Sequence, residues 1–186
     1  MRMPILYIFG ASGSGTTTLG RAASTALGWR HLDIDDYYWL PTDPPFTAAR
    51  PRAERLPLLQ RDMDGAPGAV LTGWGHGWLD PLLPDFTLAV RLELEPSLRL
   101  RRLEARERAR FGGRLDPGGD MHDDHRAFMA WAARYDTGGM DIRSRASLDA
   151  WQARMTCPAL LLDGAADLEE NLATVLNHQT IRRIMS

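Results

Sequence analysis

The sequence predicts an α/β fold in which a five-stranded parallel sheet carries helices on both faces. Three observations support this. Short apolar, partly β-branched runs alternate with longer segments of helical character, the order expected of repeated strand–helix units. The first three runs lead directly into a glycine-rich loop, an aspartate cluster and a Gly/Trp segment, so these turns converge on the carboxyl edge of one sheet. Across 186 residues there is neither an internal repeat nor a linker, which fits one domain with a small mobile insert.

Residues 4–9 read as the first buried strand and 10–15 as a turn-rich loop. Helical character over 16–27 stops at Gly28, a suitable C-cap. A second strand at 29–33 is closed by Asp33, Asp35 and Asp36. The proline-rich stretch 41–51 is irregular, and 52–63 is a helix open to a break near Pro57. A third strand at 69–72 runs into Gly73-Trp-Gly-His-Gly-Trp78. The fourth, at 87–94, precedes a helix that Pro96 can open at its first turn and that runs to about Arg110. Four glycines and a proline make 111–120 a loop. Helices follow at 121–135 and 144–155, a fifth strand at 159–162 and a last helix at 168–178, with 182–186 expected to fray.

Twenty-two basic against 24 acidic side chains give a formal charge of −2, which offers no electrostatic case for nucleic acid or an anionic membrane as partner. No run approaches the roughly 20 apolar residues of a membrane span, and the apolar run at 4–9 is too short for the core of a signal peptide. Cys157 stands alone, so no intrachain disulfide forms and a reducing compartment fits. The expectation is a cytoplasmic protein, monomer or homodimer, that handles small molecules. All 22 basic residues are arginines; the chain contains no lysine.

Gly10 and Gly15 have the spacing of the phosphate-loop pattern G-x-x-x-x-G-K-[ST], and Thr17 stands at its hydroxyl position. The loop follows a strand and opens a helix, as the pattern requires. Gly10, Ala11, Ser12, Gly13, Ser14 and Gly15 can wrap a phosphate with backbone N–H groups, and Thr16, Thr17 and Thr18 begin the helix whose N-terminus favours anions. The motif implies a three-layer P-loop NTPase fold that binds ATP or another NTP, with Thr17 ligating Mg²⁺. A Gly/Ser turn that binds nothing would need neither this spacing nor three successive threonines. Position 16, however, is threonine where the pattern has lysine. Loss of one such electrostatic group raises a barrier by about 2.7–4 kcal/mol, so nucleotide binding is better founded here than catalysis.

With these residues the chain resembles the nucleoside-monophosphate kinases and the shikimate and gluconate kinases. Residues 10–17, 33–39, 41–46 and 111–121 are more narrowly similar to uncharacterised bacterial adenylate-kinase-like ATPases that also carry threonine at the lysine position. The resemblance implies a single domain over 1–186 with a small helical lid at about 106–125 and an acceptor-binding insert at about 37–66. It implies that Asp33 supports Mg²⁺ through water and that Asp35 holds an acceptor hydroxyl, where a carboxylate can take the departing proton. A helix cap or solvated turn is the alternative for both, and Asp36 reads as the capping or solvated member. Gly73, Trp74 and Gly75 fall where the shikimate kinases let substrate approach the backbone, and Arg52 falls in the acceptor-binding helix. Trp74 and Trp78 can stack on an acceptor or be core residues flanking a tight turn. Unlike the nucleoside-monophosphate kinases, the chain has no arginine between 70 and 84, which weakens a nucleotide acceptor.

Arg102, Arg106 and Arg110 are spaced four apart, with Arg99 on the same helix face and Arg114 just beyond. In the resembled kinases lid arginines clamp phosphoryl oxygens on closure, so Arg106, Arg110 and Arg114 are candidates to replace the absent lysine. Pairing with Glu104 and Glu107 on a solvated helix is the alternative. The functional expectation is an ATP- and Mg²⁺-dependent phosphotransferase acting on a small acceptor; a nucleotide-binding module or an NTP hydrolase with little transfer is the alternative that Thr16 suggests. His122 and His125 share a helix face but lack partners for a tetrahedral metal site, and a helix N-terminus explains the aspartates around them.

Overall fold

Residue 5 to residue 10 form β1 (Ile5–Gly10), buried along its whole length, and its alternating side chains feed two separate cores. The computed structural model describes residues 3–186. After β1 come α1 (Thr16–Leu27), β2 (Arg30–Asp33), α2 (Ile34–Tyr38), α3 (Arg52–Met63), β3 (Ala69–Thr72), β4 (Phe86–Glu93) and α4 (Pro96–Phe111). The chain continues through α5 (His122–Ala133), α6 (Arg145–Gln152), β5 (Ala159–Asp163), α7 (Leu168–Asn177) and α8 (Gln179–Met185). Short 3₁₀ turns lie at Asp80–Asp85 and Gly112–Leu115.

The five strands form one sheet in the order β2-β3-β1-β4-β5, and every pairing is parallel. Ile5, Tyr7 and Phe9 pack on one face with Leu59 and Met63 of α3 and Leu148 and Trp151 of α6. Leu6 and Ile8 pack on the other with Leu19 and Ala23 of α1, Val175 of α7 and Ile181 of α8. Each fully buried side chain of this size stabilises the fold by about 1.5–3 kcal/mol, so both layers hold the sheet from either side. All five carboxyl ends point to one edge, which gathers the loops after β1, β2 and β3 as the sequence predicts.

Two local expectations are corrected. Pro57 does not break α3: a proline removes one helical hydrogen bond, and burial of Leu59 and Met63 beyond it holds the following turns. Residues 179–185 form α8 rather than fraying, because Ile181 is buried against the sheet. Of the two alternatives for Asp36, it is the solvated one that holds, and the cap of α2 is Asp33, whose Oδ1 accepts from the Asp35 N–H at 3.1 Å. Among the described residues no helix is long and apolar enough to cross a membrane.

Candidate active site

The glycine-rich loop occupies the gap between the end of β1 and the start of α1. Gly13 and Gly15 adopt φ of 87° and 103°, the left-handed region that side chains other than glycine's rarely enter. At Gly13 space also forbids a side chain: a Cβ would lie 2.9 Å from both the Arg99 carbonyl oxygen and Leu103 Cγ of α4. The Ser14 N–H donates to the Ala11 carbonyl at 3.1 Å, closing the loop on itself. No side chain caps the N-terminus of α1, so its first amides remain open to an anion. Ser14 Oγ is sealed from solvent and has no hydrogen-bond partner among the described residues.

Thr17 Oγ1 donates to Asp33 Oδ2 at 2.9 Å. One carboxylate therefore joins the phosphate loop to the start of α2, accepting from Thr17 with one oxygen and from the Asp35 amide with the other. A hydroxyl and a carboxylate side by side are hard oxygen donors, the set that suits Mg²⁺ when nucleotide phosphates and water complete an octahedron. Thr17 and Asp33 fit that ion. Among the described residues no cluster of three or more His, Cys, Asp or Glu offers an all-protein metal cage, and His122 and His125 bond the Leu115 carbonyl and Glu104 instead.

Beside Asp35 opens a cavity of about 350 Å³. Asp35, Tyr38 and Trp39 line it from α2 and the residue that ends that helix, and Arg52 and Arg55 from α3. Trp74, His76 and Trp78 come from the segment after β3, Trp131 from α5 and Arg143 from the loop before α6. The Asp35 surface is accessible from the cavity, yet protein surrounds the carboxyl closely. That desolvation pushes its pKa above the ordinary aspartate value, and Asp33 adds to the rise, while Arg143 and Arg106 oppose it.

The turn at Gly73–Gly75 is held from below by Tyr7 of β1. Its hydroxyl donates to the Gly73 carbonyl at 2.8 Å and accepts from the Gly75 N–H at 3.2 Å. Burial pushes the Tyr7 phenol far above its usual range, so it stays protonated and keeps both roles. The two readings of the tryptophans divide: Trp78 is a core residue, 5% exposed, whose edge reaches the cavity, whereas Trp74 is only partly buried and stands under the Arg143 guanidinium at 4.8 Å. Arg52 donates to the Gly77 carbonyl at 2.8 Å, and Arg55 lies 3.9 Å over the Tyr38 ring.

The arginines of α4 do not act as one stripe. Arg99, 1% exposed, turns inward, pairing with Asp136 at 2.9 Å and the Ala132 carbonyl at 3.1 Å, with Gly13 resting against it. Arg102 donates to the Gly164 carbonyl at 2.7 Å, tying α4 to the loop after β5. Arg106 pairs with Glu107 at 2.9 Å, and Arg110 lies 5.2 Å over Phe46. Arg114 pairs with Asp120 at 2.6 Å and with Asp43 at 2.8 Å, so it clasps the turn after α4 to the proline-rich segment. Of the three lid candidates, Arg106 also acts on Asp35 through its charge.

Sequence reading missed Tyr7, Tyr38, Trp39, Trp131 and Arg143, whereas Arg55, in the helix expected to bind the acceptor, does line the cavity. Tyr7, Trp131 and Arg143 have their site neighbours far away in the chain, so no local pattern marks them, and Tyr38 and Trp39, though close to Asp35, carry no motif. The one available signal was composition, because four of the chain's six tryptophans line this cavity.

Sheet order, phosphate loop and strand-edge cavity define the P-loop kinase fold. Shikimate kinase from Acinetobacter baumannii, solved in complex with shikimate, has this fold, with a TM-score of 0.53 at 17% identity over 94% of this chain and 91% of that one. A sugar kinase from Janibacter sp. HTCC2649 matches with a TM-score of 0.50 at 13% identity, over 96% of this chain and 95% of that one. Shikimate kinase from Bacteroides thetaiotaomicron also matches at 0.50, with 17% identity over 95% and 97% of the two chains. No protein-family model matches the sequence. The chain belongs to the family of the uncharacterised protein YqaC of Bacillus subtilis (strain 168), to which it is 39% identical over 173 residues, 93% of this chain and 96% of that protein.

Proposed function

We propose that the protein is an ATP- and Mg²⁺-dependent kinase that transfers the γ-phosphoryl group to a small anionic acceptor held in the tryptophan-lined cavity. The observation that carries this reading is the continuity of the site. Thr17 of the phosphate loop bonds Asp33, Asp33 caps the helix that bears Asp35, and Asp35 lines the cavity. Thr17 and Asp33 would hold Mg²⁺, which supplies charge neutralisation at the β- and γ-phosphates. The glycine loop orients the phosphates by backbone N–H groups.

In this reading the acceptor hydroxyl attacks the γ-phosphorus, forming the new P–O bond as the β,γ-bridging bond breaks and its electron pair leaves on ADP. The hydroxyl proton passes to Asp35, whose raised affinity for protons suits a base. The aromatic walls offer stacking faces, and Arg52 and Arg55 offer positive charge to an anionic group on the acceptor.

Incubation with MgATP and a panel of hydroxylated, carboxylated and phosphorylated metabolites, read by ADP release, tests the reading. At least one acceptor should raise ADP release well above the rate without acceptor. Tight ATP binding with no acceptor consumed would favour a nucleotide-binding module instead. Two observations favour that second reading: Thr16 replaces the lysine, and the Arg106 and Arg114 side chains are already paired with carboxylates.

A further inference from the structure

We propose that Arg143, and not a lid arginine, supplies the positive charge on the γ-phosphate that Thr16 of the phosphate loop cannot. The inference rests on the kinase reading above and names a catalytic residue within it. Arg143 lines the cavity beside Asp35 and also the narrow cleft beside Ser12 of the phosphate loop, and it is the one arginine common to both. A phosphoryl group passing from the loop to an acceptor at Asp35 has to cross the space that this guanidinium faces.

Arg143 is also held ready and left unspent. Its Nε is sealed from solvent with no hydrogen-bond partner, and among the described residues it forms no ion pair. Asp35 and Asp33 both act on it electrostatically, yet neither carboxylate closes onto it. Arg143 and Asp35 line the same cavity with opposite charges and without an ion pair between them. The guanidinium is fixed by aromatic faces, 4.8 Å from the Trp74 centroid and 5.8 Å from that of Trp131. Its backbone is fixed by the next residue: Ser144 and Ser147 form a reciprocal capping box at the start of α6, and Ser144 Oγ donates to the Gly139 carbonyl at 2.7 Å. Arg145 then pins the same segment through Glu93 at 2.7 Å and Asp136 at 3.2 Å.

The lid arginines lack this poise. Arg106 and Arg114 would have to leave carboxylates, and Arg110 lies over Phe46 and Phe111. In a chain without lysine, a cation already desolvated and unpaired between loop and acceptor cavity stabilises charge at the γ-phosphate without reorganisation. Arg143 keeps its own protons throughout.

Isothermal titration with MgADP and with Mg β,γ-methylene-ATP, whose terminal phosphate is not transferred, tests the assignment without a known acceptor. The wild type should prefer the triphosphate. Arg143→Met should reduce that preference about tenfold or more, as loss of a charge-assisted contact does, while MgADP affinity stays within about twofold. Arg143→Lys should keep part of the preference, and Thr16→Lys in the Arg143→Met background should restore it. Folded Arg143→Met protein with the full wild-type preference would overturn the assignment, as would a tenfold loss in Arg106→Ala with none in Arg143→Met. Wild-type protein that binds neither nucleotide would overturn the kinase reading itself, and a wild type that binds both equally would overturn the assignment alone.

Discussion

The glycine-rich loop and the tryptophan-lined cavity adjoin at Asp33, but they are built in opposite ways. The loop is contiguous, eight residues of glycine, serine, alanine and threonine whose useful groups are backbone amides and one hydroxyl. The cavity is assembled from α2, α3, the segment after β3, α5 and the loop before α6, and its useful groups are aromatic rings, guanidinium groups and one carboxylate. A backbone site depends on conformation, so substitutions there should act through strain. A side-chain site depends on chemistry, so single groups should be separable from folding.

The sharpest break between the two regions is Asp35→Asn. Transfer to an acceptor should fall about 10²–10⁴-fold, the usual span for a general base, with ATP affinity unchanged by titration calorimetry. A variant that also lost ATP affinity would show that the two regions are not separable. The same variant bears on stability with a definite sign. The folded-state pKa of Asp35 lies above its unfolded value, so the group favours folding in acid and loses that contribution as pH rises through the folded pKa. Asp35→Asn should therefore raise the melting temperature near neutral pH, with the gain vanishing at acid pH.

Gly13→Ala comes next and should act through the backbone. Its left-handed φ and the contacts at 2.9 Å to Arg99 and Leu103 predict a loss of about 1–3 kcal/mol in urea titration, together with weakened nucleotide binding. Trp74→Ala should do the reverse, raising KM for the acceptor about tenfold by removing a stacking face while sparing nucleotide affinity. The pH profile of transfer should divide the regions as well. The rate should decline with acid at a pH above the ordinary carboxylate range, because Asp35 must be ionised to take a proton, whereas ATP affinity should not follow that curve. The smallest effects belong to the arginines at and beyond the end of α4: Arg106→Ala, Arg110→Ala and Arg114→Ala should each cost under about tenfold in turnover, since their present partners compete for them.

The sequence alone was enough for the sheet, its helical layers and the phosphate loop. Apolar periodicity and glycine spacing are local, and each residue of the loop works through atoms that its own chain neighbours position. Thr16–Leu27 and Ala69–Thr72 were legible to the residue for that reason. Of the residues that sequence reading offered for the acceptor side, Asp35, Arg52, Arg55, Trp74, His76 and Trp78 line the cavity, whereas Gly73 and Gly75 form the turn beside it. It was the tertiary structure that put Tyr7 beneath the Gly73–Gly75 turn, folded Arg99 inward from its helical stripe and brought Arg143 within the field of Asp35. A guanidinium 108 positions from Asp35 in the numbering has no local signature there. Its placement follows from which helices pack over the sheet edge, and burial between tryptophans, not sequence spacing, makes it a free and desolvated charge.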